Sequence, residues 1–184
     1  MKTLLVKTVL IPTICLVIGI NAFAQGMKTE VPDAVKYLGK FAGSWESNVT
    51  MTMNGKEYPG IYTVNCKMTA DGSGLYADEF FSNPELGTMK GSDLAGFDPF
   101  ESKIKWFTVD NMGTTHVHTG EWTSPDHLFI EHNGTRDGKK YVETLDFKFK
   151  NDNELDFRLV GTLDGVESES SAGTFHKKVG MSVK

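Results

Sequence analysis

From Gly43 to the end of the chain, turn-forming residues recur about every ten positions, and this spacing restricts the fold more than any other feature. The turns fall at Asn54-Gly55, Asp71-Gly72-Ser73-Gly74, Asn83-Pro84, Asp98-Pro99, Met112-Gly113, Ser124-Pro125-Asp126, Asp137-Gly138, Asn151-Asp152-Asn153 and Asp164-Gly165. Asn-Gly and Asp-Gly pairs favour the backbone of two-residue hairpins. The segments between them alternate apolar and polar residues, the period of a strand with one buried face. The expected strands are Trp45–Met53, Lys56–Thr69, Leu75–Ser82, Gly87–Phe97, Ile104–Asn111, Thr114–Trp122, His127–Asn133, Lys140–Lys150, Leu155–Leu163 and Val166–Lys177. Within the second, Pro59-Gly60 marks an edge or a bulge.

Turns this short force neighbouring strands to pair antiparallel. A meander of that length exposes two unpaired edges, and closing it on itself removes both. A sandwich would call for longer crossovers. The expected fold class is therefore all-β, an antiparallel up-and-down barrel of about ten strands, wide enough to leave some interior space. One short helix precedes it: Pro32 and Asp33 open it, Ala34, Val35, Leu38 and Phe41 give it an apolar stripe, and Gly43 closes it.

The N-terminus predicts export. Lys2 and Lys7 give a positive start, Thr8–Ile20 is an uncharged and mostly apolar run of 13 residues, and Ala22 and Ala24 form a small-x-small cleavage pattern. The run is shorter than the ~20 residues a membrane-spanning helix needs. Residues 1–24 therefore read as a signal peptide, 25–31 as a linker, 32–178 as the barrel domain and 179–184 as a tail. The mature protein is expected in the periplasm or outside the cell. Cys15 lies inside the apolar run and lacks the small residue before it that a lipoprotein site needs. Cleavage leaves Cys66 alone, so no internal disulfide can form, and Cys66 reads as a small buried residue.

The chain carries 19 Lys and Arg against 24 Asp and Glu, a formal net charge of −5. Removing the leader takes away two lysines and no acid. An acidic domain without clustered cations is not built for nucleic acid or for anionic membrane surfaces. No nucleophile elbow, zinc-protease helix or phosphate loop is present, so no catalytic residue is assigned.

The segment Leu38-Gly39-Lys40-Phe41-Ala42-Gly43-Ser44-Trp45 resembles the opening of calycin (lipocalin-like) barrels, where a short helix leads into Gly-x-Trp on the first strand. That resemblance implies that Trp45 seals the barrel floor under a basic side chain from the last strand, with Lys177 and Lys178 available. Two further stretches carry a closer likeness, Gly87-Thr88-Met89-Lys90-Gly91 with Ala95-Gly96-Phe97-Asp98, and Lys105 to Thr114. Together they resemble a bacterial calycin-like family catalogued as domain of unknown function number fifteen-seventy-nine, across Leu38 to Lys178. The chain departs from that pattern with Phe97 for a tyrosine and Leu75-Tyr76-Ala77 for a Gly-Gly-Arg. The family implies a fold and an export habit and no chemistry.

Geometry alone also brings the first and last strands of a closed meander together, so Trp45 should meet His176, Lys177 or Lys178. Aromatics at Trp45, Tyr62, Phe80, Trp106, Phe107, Phe129, Phe147, Phe149, Phe157 and Phe175 read as barrel core, and the same residues would line a cavity for an apolar ligand. His116 and His118 lie two apart on one strand and face one side together with Trp122. They read either as outward polar residues, as the lining of a polar cavity, or as part of a metal or haem site. A metal would need a third ligand, for which His132 and Asp110 are conceivable. Asp98, Asp110 and Glu79 are candidates for an acid pair at a cavity mouth, with Asp98 reading more simply as a turn residue.

The resulting expectation is a barrel that binds a small apolar or amphipathic ligand through Tyr62, Trp106, His116, His118 and Trp122, above a floor of Trp45 and Lys177. No metal ligand and no particular cofactor is assigned. The alternatives are a histidine-dependent haem or metal barrel, and a filled barrel that works through its outer surface.

Overall fold

The computed structural model describes residues 31–178; the expected signal peptide, the expected linker up to Glu30 and the expected tail lie outside the described residues. Helix α1 (Asp33–Leu38) tightens into a 3-10 turn (Gly39–Phe41). Ten strands follow: β1 (Gly43–Met53), β2 (Lys56–Met68), β3 (Gly74–Asn83), β4 (Gly87–Asp98), β5 (Lys103–Asp110), β6 (Thr115–Ser124), β7 (His127–Arg136), β8 (Lys139–Asn151), β9 (Glu154–Leu163) and β10 (Val166–Lys177). Each pairs antiparallel with its sequence neighbours, and β1 also pairs with β10, which closes the barrel. Among the described residues, no helix is long and apolar enough to cross a membrane.

The expected hairpins form where the turn chemistry puts them. Asn54 and Gly55 both hold positive φ, 51° and 77°, the backbone that joins two right-twisted strands in two residues. Pro59-Gly60 makes no bulge: Pro59 pairs with Thr50 and Gly60 with Val49 in unbroken register. The β2–β3 ladder begins only at Ile61, and the Pro59 carbonyl faces that side, where it accepts from Asn83 Nδ2 at 2.7 Å. The proline's missing N–H therefore points past the end of β3, where no ladder bond is lost.

Alternation decides what is inside. Phe81 is buried and its neighbour Phe80 turns outward, and Phe107 and Phe129 are exposed, so these three aromatics of the expected core lie on the outer face. The core gathers at the helix end of the barrel. Phe41 meets Trp106, Phe147 and Phe149 edge-on, with centroids 5.6, 5.3 and 4.9 Å away. Val35 and Leu38 of α1 are buried there too.

Trp45 is 2% exposed. Its indole N–H donates to the Phe41 carbonyl at 2.7 Å, and its ladder partner Lys177 sets Nζ 4.8 Å from the ring centroid. The expected meeting of Trp45 with the last strand is made through Lys177. A buried tryptophan replaced by alanine costs about 3–5 kcal/mol, whereas the cation over the ring contributes about 0.5–2 kcal/mol. Trp45→Ala should therefore lower the melting temperature by roughly 6 °C or more and Lys177→Met by clearly less. Thermal unfolding followed by circular dichroism checks this, and equal shifts for the two variants would contradict the floor role.

Candidate functional site

The barrel is hollow above its floor. An inner chamber of about 110 Å³ rests on Trp45, Trp106, Phe147, Phe157 and Phe175. It widens away from the floor into a mouth of about 500 Å³ that Met51, Met53, Met89 and Met112 help to line. Tyr62, Glu79, Thr108, His116, Glu143 and Leu159 border both spaces, so a mostly polar girdle stands where they meet.

Strand register assembles this girdle. Asp93, Thr108 and His116 lie directly opposite one another on β4, β5 and β6, and the Thr108 hydroxyl donates to Asp93 at 2.6 Å. Tyr62 on β2 reaches across to donate to Glu79 on β3. Glu79 fits because Gly91 faces it from β4; a Cβ on Gly91 would lie 2.3 Å from Glu79 Oε1. On the opposite wall His118 Nε2 donates to Glu143 Oε1 at 2.8 Å, and His116 Nδ1 stands 3.3 Å from the same oxygen. The other oxygen of Glu143 accepts from Tyr141, whose single hydroxyl proton lies between Glu143 and Glu169.

The two walls are electrostatically different. On the β3–β4 wall, burial and then the neighbouring Asp93 push the Glu79 carboxyl up to about 8, and burial also raises Asp93. Both carboxyls are therefore biased toward the neutral, hydrogen-bond-donating form. On the β6–β8 wall, burial would raise Glu143 as well. Donors from His116, His118 and Tyr141 outweigh it and hold that carboxyl well below the usual carboxylate range. The same hydrogen bond raises His116. Burial pushes the Cys66 thiol up, as expected of an inert buried cysteine.

Four of the five expected ligand contacts, Tyr62, Trp106, His116 and His118, line the inner chamber. The histidines do not face outward: their side chains are 18% and 2% exposed. Trp122 shares their face but lies too near the helix end to reach the chamber. Its indole N–H donates to the Ala34 carbonyl at 3.1 Å, and the ring packs on Tyr37 and Phe149. Asp98 and Asp110 end β4 and β5 and hold the turns that follow, accepting from Phe100 and Glu101 and from Met112 and Thr114 respectively, and Asp110 also lines the mouth with Glu79. The acid beside Glu79 is therefore Asp93. The carboxylate beside the histidine pair is Glu143, while His132 stacks on His116 at 4.8 Å and donates from Nδ1 to the Val117 carbonyl. A sequence signal for these acids exists. Glu143 falls in phase with Leu145, Phe147 and Phe149, Glu79 with Ala77 and Phe81, and Asp93 with Ala95. An acid on the apolar phase of a strand points into the barrel.

The raised Glu79 carboxyl has a consequence for stability. Its folded value lies above the ordinary 4.5, so between roughly pH 4.5 and 8 the folded protein holds a proton that the unfolded chain has released. Raising the pH through that window therefore destabilises the fold. Glu79→Gln still accepts from Tyr62 and never ionises. It should flatten the loss of stability between about pH 5 and about pH 8.5 by roughly 1–3 kcal/mol. Parallel melting curves check this, and identical pH slopes would contradict a buried neutral Glu79.

No family model matches the sequence, and no curated protein matches it. Solved structures do. Rv2717c from M. tuberculosis superposes with a TM-score of 0.62 at 12% identity, over 81% of this chain and 99% of that one. The S-type phycobiliprotein lyase CPES from Guillardia theta superposes with a TM-score of 0.56 at 11% identity, over 79% of this chain and 93% of that one. At these identities the likeness is one of fold, and this chain shares a calycin-like ten-strand barrel with both.

Proposed function

We propose that this chain is an exported barrel that binds a small amphipathic ligand, with the ligand's apolar end in the inner chamber and its polar group at the girdle. The observation that carries the reading is the sequence of environments along the barrel axis. An aromatic floor comes first, then a ring of acids and histidines, then a wider mouth where four methionines stand among polar and charged side chains. Ligand sites are typically apolar clefts of about 300–1,000 Å³ with a few placed polar groups. The inner chamber alone is smaller than that, so the ligand spans chamber and mouth and presents a slim apolar end downward. Methionines at the mouth adapt to varied shapes. An accessible cavity also weighs against the filled-barrel alternative. The fold shared with a phycobiliprotein lyase is in keeping with a barrel that handles a small molecule. The finer resemblance to family fifteen-seventy-nine, and its export habit, belong to the same reading.

Fluorescent fatty-acid probes and native mass spectrometry of protein purified from its own host test it. Wild type should bind the probe. Val64→Phe, which fills the inner chamber from β2, should weaken binding about tenfold or more, a change of about 1.4 kcal/mol or more, and leave the melting temperature near wild type. A bare polypeptide mass together with no probe binding would overturn the proposal. Hemin belongs in the same panel: a Soret band that shifts in His116→Ala would move the reading to a haem barrel. For export, sequencing of the mature N-terminus should give Gln25.

A further inference from the structure

We propose that His116, His118 and Glu143 form a binding site for a divalent transition-metal ion, zinc being the first candidate, with an open coordination position facing the cavity. Two imidazoles and one carboxylate are a ligand set that suits zinc and its neighbours, and three protein ligands with a fourth position free are the pattern of reactive rather than structural zinc sites. His116 and His118 project together because they are two apart on β6, and Glu143 reaches the same point from β8. Their donor atoms all lie within 4.8 Å of one another. Metal–ligand bonds of about 2.0–2.1 Å in a tetrahedron place donor atoms roughly 3.3–3.5 Å apart. The separations from Glu143 Oε1 to His118 Nε2 and to His116 Nδ1, 2.8 and 3.3 Å, are already within that reach.

A further observation favours a cation over a self-contained hydrogen-bond network. Both imidazoles converge on one oxygen, Oε1, while Tyr141 holds the other. That division is what a monodentate ligand with an outer-shell partner requires. His132, stacked on His116 and tied to the Val117 carbonyl, limits how far the His116 ring can turn.

The site stands on this geometry and does not depend on the amphipathic-ligand reading, since the cation needs only the three side chains. The test uses untagged full-length protein stripped with chelator. Zinc titrated against a chromophoric competitor should bind one per chain, and cobalt should give the visible absorption of a four-coordinate site. His116→Gln and Glu143→Gln should each weaken zinc by more than the ~10–100-fold expected of the outer-shell change Tyr141→Phe. His176→Gln, on the exposed outer face of β10, should leave affinity unchanged. Each variant's melting temperature without metal reports its fold, and zinc should raise the melting temperature of wild type and His176→Gln but not of His116→Gln or Glu143→Gln. If Glu143→Gln does not fold, His116→Gln, at the more exposed member of the triad, decides the question alone. No binding by wild type, or binding unchanged in folded His116→Gln, overturns the proposal. Probe binding by the chelator-treated protein tests the ligand reading separately, so either can fail without the other.

Discussion

Everything inside this molecule depends on the pairing of β1 with β10. Closure removes both sheet edges and turns one face of all ten strands away from water. It also sets Trp45 opposite Lys177, so the residue that blocks the helix end of the barrel sits on the seam that closes it. The indole bonds the Phe41 carbonyl, and Phe41 in turn packs edge-on against Phe147 and Phe149 of β8. The floor is therefore tied across the barrel from β1 to β8 through one residue of the 3-10 turn, by its carbonyl on one side and its ring on the other.

That floor divides the interior into two regimes. Below and at its level the side chains are aromatic and close-packed. Above it the inward positions become Tyr62, Glu79, Asp93, Thr108, His116, His118 and Glu143. Burying so many ionisable groups is costly unless they satisfy one another. The β3–β4 wall meets the cost by favouring neutral acids, and the β6–β8 wall by gathering three donors around one carboxylate. Two carboxyls in one cavity are thus driven in opposite directions, an arrangement usually associated with sites that hold or transform a polar group.

The barrel itself was legible because its evidence is local. Turn pairs such as Asn54-Gly55 and two-residue alternation specify strands, and ten strands joined by short turns leave closure as the simplest solution. The Trp45–Lys177 contact was legible for the same reason, as a corollary of closure. The girdle was less so. His116 and His118 could be seen to share a face, but which face depends on the register of β5 and β7 around them. Trp122 has the right phase and the wrong height, and height along a barrel axis is set by strand tilt, which no periodicity reports. Glu143 lies two strands from His118, so only the assembled sheet brings them together. The acids were nevertheless marked, since each interrupts an apolar phase. Weighting in-phase acids above histidine count would have added Asp93 and Glu143 to Glu79.

The glycines around the girdle decide whether the cavity is an accident of imperfect packing. Gly91 faces Glu79, Gly161 faces Glu169 and Gly134 faces the His132 ring, and in each case a Cβ would lie within 2.7 Å of the polar side chain. A barrel shaped for stability alone would fill such positions with apolar side chains, since replacing buried ionic groups by well-packed hydrophobic ones is often neutral or stabilising. Here the small residue makes room for a charged or titratable one instead. The interior therefore forgoes apolar packing at several independent places, on β4, β7 and β9, to keep polar groups around one space. Random loosening of a core would leave voids lined by apolar atoms. Polar groups converging on a shared opening are what a barrel needs if that opening is to be occupied.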